Sequence, residues 1–179
     1  HTYYSDGQSS PGAIVEKAGK MGYSDIAITD HDGIGGVKEA VDAGRKNGVR
    51  VIPGIELDTE TEQGVDLHIL GYGMDLEDRD FRRVMKELDR RRQRRNEGLL
   101  KALTDMGYPL SLSELKERHP GGYVGKPVIA RAMVEKGYIA DYREAFSPGR
   151  FLESSRARAV KKEPFSSSEA ISLIRGAGG

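Results

Sequence analysis

Residues 1–75 alternate between segments with a helix pattern and segments with a strand pattern. The first helix pattern follows Ser10, has Pro11 at its first position and stops at Gly22, which is typical of a capped helix. A second helix pattern stops at Gly48. The apolar, β-branched runs that predict strands are residues 25–29, 49–57 and 65–72. Strand–helix–strand units this closely spaced predict an α/β fold with a parallel sheet covered by helices.

The pattern becomes helical after residue 77. Residues 78–150 contain a long amphipathic helix pattern that stops at Gly107 and a shorter pattern that stops at Gly137. A serine-rich segment then leads into one more helix pattern. We therefore predict an all-helical insertion at residues 78–150 between two parts of the α/β layer, residues 1–77 and 151–179.

The two ends of the sequence have the features of a truncated fold. The chain opens at His1 without an initiator methionine, directly in a segment that would follow a strand. It stops at Gly178 and Gly179, a pattern typical of a turn into a further strand. We expect the remainder of the α/β layer to lie outside these residues.

Composition excludes several classes of function. The 28 basic and 28 acidic residues cancel, so no net charge attracts the chain to nucleic acid or to a membrane surface. There is no cysteine, which excludes a disulfide framework and a thiolate metal site. No apolar run approaches the roughly 20 residues of a membrane span. We expect a cytoplasmic protein without membrane contact.

Residues that could bind metal lie where the predicted strands end. They are His1 and Asp6 near the start, Asp30 and His31 after the next strand, Glu56 after the third, and His68 within the fourth. In a parallel α/β barrel the carboxyl ends of the strands form one rim, so these side chains are expected to converge. Imidazole and carboxylate without thiolate suit Zn²⁺, Mn²⁺ or Fe²⁺ rather than Ca²⁺.

Each of these residues also has an ordinary structural interpretation. A single histidine such as His68 in a half-buried strand is often a hydrogen-bonded core residue. Asp6 and Asp30 stand in sequences that form turns, and Glu56 is also compatible with an exposed acid beyond a strand. The shared position of all of them at one predicted rim favours a metal site.

The stretches that carry these residues resemble the PHP (polymerase and histidinol phosphatase) superfamily of metal-dependent phosphoesterases. The resemblance lies in four motifs in this order and spacing: HTYYSDG, AITDHD, IPGIEL and DLHILGY. Within the superfamily the chain is similar to the branch of 3′,5′-nucleoside bisphosphate phosphatases and 5′→3′ exoribonucleases. The resemblance implies a distorted (β/α)₇ TIM-like barrel, here truncated, with an all-helical insertion domain and a rim that binds two or three divalent metal ions.

The resemblance also implies roles for individual residues. The implied metal ligands are His1, Asp6, His31, Glu56 and His68, with Glu56 bridging the first and second ions. Asp30 would orient the neighbouring His31, so the implied catalytic set is Asp30, His31 and Glu56. The family's first histidine would precede His1 and further family ligands would follow Gly179, so the ligand set within this sequence is partial.

A basic segment, residues 82–95, holds eight Lys and Arg side chains. It could be a solvated helix face stabilised by pairs such as Glu87–Arg91, each contributing roughly 0.2–0.5 kcal/mol. It could also supply guanidinium groups that grip a phosphate bidentately. We predict that Arg91 and Arg94 bind the substrate. We add Lys126, which stands where the family often carries an Arg-Pro-His sequence.

The favoured interpretation is hydrolysis of a phosphate monoester at a multinuclear metal site. The expected partner is a small phosphorylated anion, a 3′,5′-nucleoside bisphosphate or the 5′ end of a short RNA, and no protein partner is predicted. Tyr3, Tyr4 and Tyr72 flank the predicted rim and could stack on a base, although such tyrosines more often pack against the fold. The alternatives are a small-molecule phosphatase of the histidinol-phosphate type and a non-catalytic, metal-binding accessory domain.

Overall fold

The structure is a computed structural model and describes residues 1–179. In chain order its elements are α1 (Pro11–Lys20), β1 (Asp25–Ile28), α2 (Val37–Asn47), β2 (Arg50–Glu60), β3 (Asp66–Tyr72), α3 (Arg79–Asp105), α4 (Leu112–Arg118), α5 (Lys126–Glu135), α6 (Ser155–Arg158) and α7 (Ser167–Gly176). Two 3₁₀ helices, Tyr142–Phe146 and Phe151–Glu153, lie between α5 and α6. None of these helices combines the length and the apolarity that a membrane span requires.

The chain divides into two compact units. Unit 1 comprises His1–Asp89 and Pro164–Gly179, and unit 2 comprises Arg90–Glu163. Helix α3 begins in unit 1 and ends in unit 2. Each unit has its own hydrophobic core.

The predicted helices are confirmed. Local interactions determine where each of them begins and ends. The Ser10 side chain accepts a hydrogen bond from the first turn of α1, and Pro11 occupies the first position of that helix. Gly48 ends α2 in the left-handed conformation, with φ at +66°. Gly107 and Gly137 follow α3 and α5 with φ at +91° and +72°. Glycine adopts this conformation without the steric cost that a β-carbon brings.

The sheet of unit 1 has three strands in the order β1-β2-β3. Strands β1 and β2 pair in parallel, as the alternating pattern predicts. Strand β3 pairs with β2 in the antiparallel direction, so the prediction of an all-parallel sheet is wrong for this strand. The cause is the short connection, residues 61–65, since a parallel crossover needs a dozen or more residues and a hairpin does not. Unit 1 is therefore an α/β structure built on a mixed sheet.

Side chains of β2 point alternately to the two faces of the sheet, and this determines which of them can take part in chemistry. Ile55 and Leu57 are fully buried in a cluster with residues of α3 and α7, such as Phe81 and Ile174. Successive side chains of a strand point to opposite faces. The intervening Glu56 and the residue after Leu57 therefore project from the other face of the sheet.

Unit 2 contains helices and loops and no strand. Its core brings together α5, the second half of α3 and the 3₁₀ segment Phe151–Glu153. The fully buried members include Leu103, Ile129, Met133 and Leu152. The spacing of Leu99 and Leu103 on α3 places one apolar stripe of this long helix in the core of unit 2.

Candidate metal centre

The tripeptide Asp30–His31–Asp32 continues the chain of β1 along β2. The Glu56 N–H donates to the carbonyl of Asp30 at 3.0 Å, and the Asp32 N–H donates to the carbonyl of Glu56 at 2.8 Å. His31 and Glu56 are thereby paired side by side as a parallel bridge. Asp32 then adopts a φ of +46°, a left-handed conformation that aspartate tolerates better than most residues. The chain turns away from the sheet directly after the histidine.

Glu56 lies between two imidazoles. One of its carboxylate oxygens is 2.8 Å from Nε2 of His1, and the other is 2.6 Å from Nδ1 of His68. The Glu56 side chain is only 14% exposed, so these contacts are largely shielded from water. Asp6 lies on the far side of His1, with 3.5 Å between its Oδ1 and the Nδ1 of that histidine.

Asp58 faces the remaining histidine and was not among the residues predicted from the sequence. Its Oδ1 is 2.9 Å from Nδ1 of His31 and 3.3 Å from Nε2 of His68. Asp58 and His68 are opposite each other in the hairpin of β2 and β3. The signal was present in the sequence, because Asp58 stands two residues after Glu56 and therefore on the same face of the strand.

The five predicted ligands therefore lie in one cluster, with Asp58 as an addition. Two sets of residues each offer three ligand atoms that lie within 4.8 Å of one another: His1, His31 and Glu56, and His31, Asp58 and His68. His31 belongs to both sets. Its ring stacks on His1 with 4.5 Å between centroids and meets the edge of His68 at 5.2 Å.

His31 is surrounded by acids that act on its pKa. Burial by itself lowers the pKa of this imidazole, but the contact with Asp58 and the fields of Glu56 and Asp6 outweigh it, so the pKa is raised above its usual value. The cluster therefore has a negative potential that stabilises positive charge at its centre. The same potential favours a divalent cation in that position.

The Asp30 carboxylate contacts the N-terminal segment of the chain. This carboxylate is buried and accepts three hydrogen bonds, from the N–H of Thr2 at 2.5 Å, the hydroxyl of Thr2 at 2.7 Å and the hydroxyl of Ser5 at 2.6 Å. These bonds go to the N-terminal segment and not to His31, whose carboxylate neighbour is Asp58. Asp30 thus anchors the segment that carries the first predicted ligand.

The glycines that follow the tripeptide make room for an aromatic ring. A β-carbon on Gly35 would lie 2.7 Å from Cδ1 of Tyr4. A β-carbon on Gly36 would lie 2.9 Å from Cδ2 of Tyr4 and 2.9 Å from Cγ of Pro11. The β-carbons of real side chains do not approach other atoms this closely. The glycines therefore serve packing of the N-terminal segment against the start of α2.

We expect Gly36→Ala to lower the free energy of unfolding by about 1–3 kcal/mol, since the added methyl overpacks the contact with Tyr4 and Pro11. Urea unfolding followed by circular dichroism measures the change. Gly176→Ala is the matched control, because nothing lies within 4 Å of its β-carbon and alanine favours a helix. Equal stability of Gly36→Ala and the unsubstituted protein would contradict the close contact.

The three tyrosines near the cluster differ in their surroundings. The hydroxyl of Tyr3 donates to Glu39 at 3.1 Å, and Tyr4 packs on the glycines. Tyr72 is 46% exposed at the end of β3. Two of the three therefore hold the N-terminal segment in place, and Tyr72 is the most exposed of the three.

The residues predicted to bind substrate lie in unit 2, where each has a carboxylate partner. Arg94 makes a two-pronged contact with Glu163, with donor–acceptor distances of 2.9 and 3.1 Å. Arg91 lies 3.5 Å from the same carboxylate. Lys126 donates to Glu153 at 2.9 Å, a contact that is the main cause of the lowered pKa of this acid.

The sequence of the chain is similar to those of known proteins. A model of the PHP domain family matches residues 1–146. The whole chain aligns with a 5′-3′ exoribonuclease of Haemophilus influenzae at 30% identity, over 64% of that protein. It also aligns in full with a 3′,5′-nucleoside bisphosphate phosphatase of Chromobacterium violaceum at 26% identity, over 62% of that protein.

A solved structure has a similar fold. This protein of Bifidobacterium adolescentis, described as a candidate metal-dependent phosphoesterase, superposes with a TM-score of 0.86 at 27% identity. The superposition covers the whole of this chain and 62% of the other. The chain spans a little over three-fifths of the length of the relatives it matches. The match over most of its residues shows that the chain belongs to the PHP domain family.

Proposed function

We propose that this protein is a metal-dependent phosphoesterase that hydrolyses a phosphate monoester of a nucleotide. The observation that carries the proposal is the convergence of three imidazoles and two carboxylates, from three separate segments of the chain, in one partly buried cluster. Similarity to an exoribonuclease and to a nucleoside bisphosphate phosphatase supports a 3′,5′-nucleoside bisphosphate or the 5′ end of a short RNA as the substrate.

We further propose that the sheet of unit 1 is part of a distorted (β/α)₇ barrel in the intact protein. The parallel pairing of β1 with β2 and the match to longer solved structures support this arrangement. On this proposal residues 78–150 are a helical insertion, and residues 151–179 return to the barrel. The candidate metal centre would then lie at the rim.

The donor set of the cluster fits divalent metal ions. His1, His31, Glu56 and His68 would hold such ions, with Asp6 available beside His1. Imidazole and carboxylate donors without thiolate suit Mn²⁺, Zn²⁺ or Fe²⁺, and we propose two or three such ions. When bound, ions of this kind supply Lewis acidity towards phosphate oxygens and towards the attacking water.

Carboxylate side chains of this protein would balance the positive charge of the metal centre. The Glu56 carboxylate lies between the rings of His1 and His68, so its negative charge would balance the positive charge of a bound ion. Few acid–base groups are required, because positioning and charge neutralisation supply most of the rate of phosphoryl transfer.

The cations of unit 2 are proposed to bind the phosphate groups of the substrate. The contact of Arg94 with Glu163 shows that its guanidinium can take a planar oxyanion with two hydrogen bonds. Arg91 and Lys126 would add positive charge. On this proposal a phosphate replaces the carboxylate partner at each cation.

An assay of the intact protein with a panel of phosphate esters tests the proposal. In the presence of Mn²⁺ we expect turnover of 3′,5′-bisphosphate nucleotides, loss of turnover with a chelator, and no turnover of histidinol phosphate. Preferential turnover of histidinol phosphate would instead indicate a small-molecule phosphatase. Metal binding without turnover of any nucleotide or RNA 5′ phosphate would indicate a non-catalytic accessory domain.

A further inference from the structure

Asp32, the second acid of the tripeptide, contacts the backbone of β2. Its Oδ1 accepts a hydrogen bond from the N–H of Asp58 at 3.0 Å. Two residues earlier on the same strand, the N–H of Glu56 donates to the backbone carbonyl of Asp30. The side chain of Asp32 therefore takes the place of a backbone acceptor where the chain has turned away from the sheet, at a φ of +46°.

The direction of the Asp58 N–H also shows how Asp58 is paired with β3 on the other side of β2. Because the Asp58 N–H points towards Asp32, it is not directed towards β3. Asp58 and His68 are thus opposite each other as a non-hydrogen-bonded pair, the kind in which side chains approach most closely. This explains why one carboxylate oxygen lies 3.3 Å from Nε2 of His68 while it also contacts His31.

We propose that Asp58 is a metal ligand, binding a divalent cation together with His31 and His68, and that Asp32 is a positioning residue that holds Asp58 in place. The inference rests on the metal-dependent function proposed above. Ligand atoms of the three residues lie within 4.8 Å of one another, and the side chains of His31 and Asp58 are only 17% and 26% exposed. An acid that contacts two imidazoles in a partly shielded site supplies the negative charge that such a cation requires.

Titration of the intact protein with Co²⁺ and Mn²⁺ tests both parts of the inference. We expect Asp58→Asn to weaken metal binding by at least about tenfold and to change the visible absorption of bound Co²⁺. Asp66→Asn is the matched control on β3, an exposed acid outside both ligand sets, and should leave affinity and spectrum unchanged. If Asp58→Asn is not folded by circular dichroism, Asp58→Ser replaces it in the comparison.

The positioning role is tested by a pair of variants at one residue. Asp32→Ala removes the acceptor of the Asp58 N–H, so we expect metal affinity to fall several-fold, about three- to tenfold from the loss of one hydrogen bond. Asp32→Asn keeps an oxygen that can accept this bond and should restore most of the affinity. An Asn variant as weak as the Ala variant would show that charge, and not the hydrogen bond, is responsible, and would overturn the positioning role.

The outcomes separate this inference from the proposed function. Metal binding by the unsubstituted protein with an unchanged affinity and Co²⁺ spectrum in Asp58→Asn overturns the inference and leaves the phosphoesterase proposal intact. In that case Asp58 would only orient His31 by a hydrogen bond. Failure of the unsubstituted protein to bind any divalent metal overturns both.

Discussion

Glu56→Gln is expected to reduce the metal-dependent kcat/KM by about a thousandfold or more. The substitution keeps the size of the side chain and removes the charge that lies between His1 and His68, at 2.8 and 2.6 Å from their ring nitrogens. A thousandfold loss corresponds to about 4 kcal/mol of transition-state stabilisation, which is within the range expected when a charged ligand of a catalytic metal site is neutralised.

Steady-state kinetics on a 3′,5′-bisphosphate nucleotide with Mn²⁺ measures this effect, and the metal content of the purified variant should fall in parallel. Glu60→Gln, on the same strand but outside both ligand sets, is the matched control and should keep its activity. Turnover by Glu56→Gln or Glu56→Ala at the unsubstituted rate would remove the basis of the proposed function.

The parts of the fold that sequence patterns predicted are those fixed by local interactions. Helix α1 begins at a serine cap followed by Pro11, and Gly48 ends α2, so a few neighbouring residues determine each boundary. The direction of β3 was missed although its cause is also local. The alternating pattern of earlier elements outweighed the short length of the connection at residues 61–65.

The cluster was predicted through the types and positions of its residues, and the register of the hairpin supplied the rest. The pattern of strand ends indicates Glu56 and does not single out Asp58, which lies two residues further along the same strand. Its contact with His68 depends on these two residues being opposite each other, which follows from the antiparallel pairing. A parallel β3, as predicted, would have removed this relation.

The contacts of Asp30 show why adjacency in the sequence does not specify a side-chain contact. Neighbouring residues in an extended chain point to opposite sides, so Asp30 and His31 are directed away from each other. Asp30 instead meets Thr2 and Ser5, which are more than twenty residues earlier in the chain. No local periodicity specifies such a contact, because it depends on how the N-terminal segment packs in the complete fold.

We expect Asp30→Ala to lower the free energy of unfolding by roughly 3–5 kcal/mol. The carboxylate accepts three hydrogen bonds at 2.5–2.7 Å from donors of Thr2 and Ser5, and all three residues are buried. Removal of the acceptor leaves the N–H and the hydroxyl of Thr2 unsatisfied, and each such buried group costs about 1–3 kcal/mol, whereas the Ser5 hydroxyl keeps the carbonyl of Thr2 as an acceptor at 3.5 Å. The local anchor of His1 is lost at the same time, so metal affinity should also fall.

Urea unfolding gives the change in stability, and hydrogen exchange of the Thr2 amide reports whether the N-terminal segment is released. Asp25→Ala is the matched control at the start of β1, where the carboxylate makes an exposed ion pair with Arg50. Exposed pairs of this kind contribute about 0–1 kcal/mol. A destabilisation by Asp30→Ala no larger than that of Asp25→Ala would show that the N-terminal segment is held by the packing of Tyr4 rather than by the carboxylate.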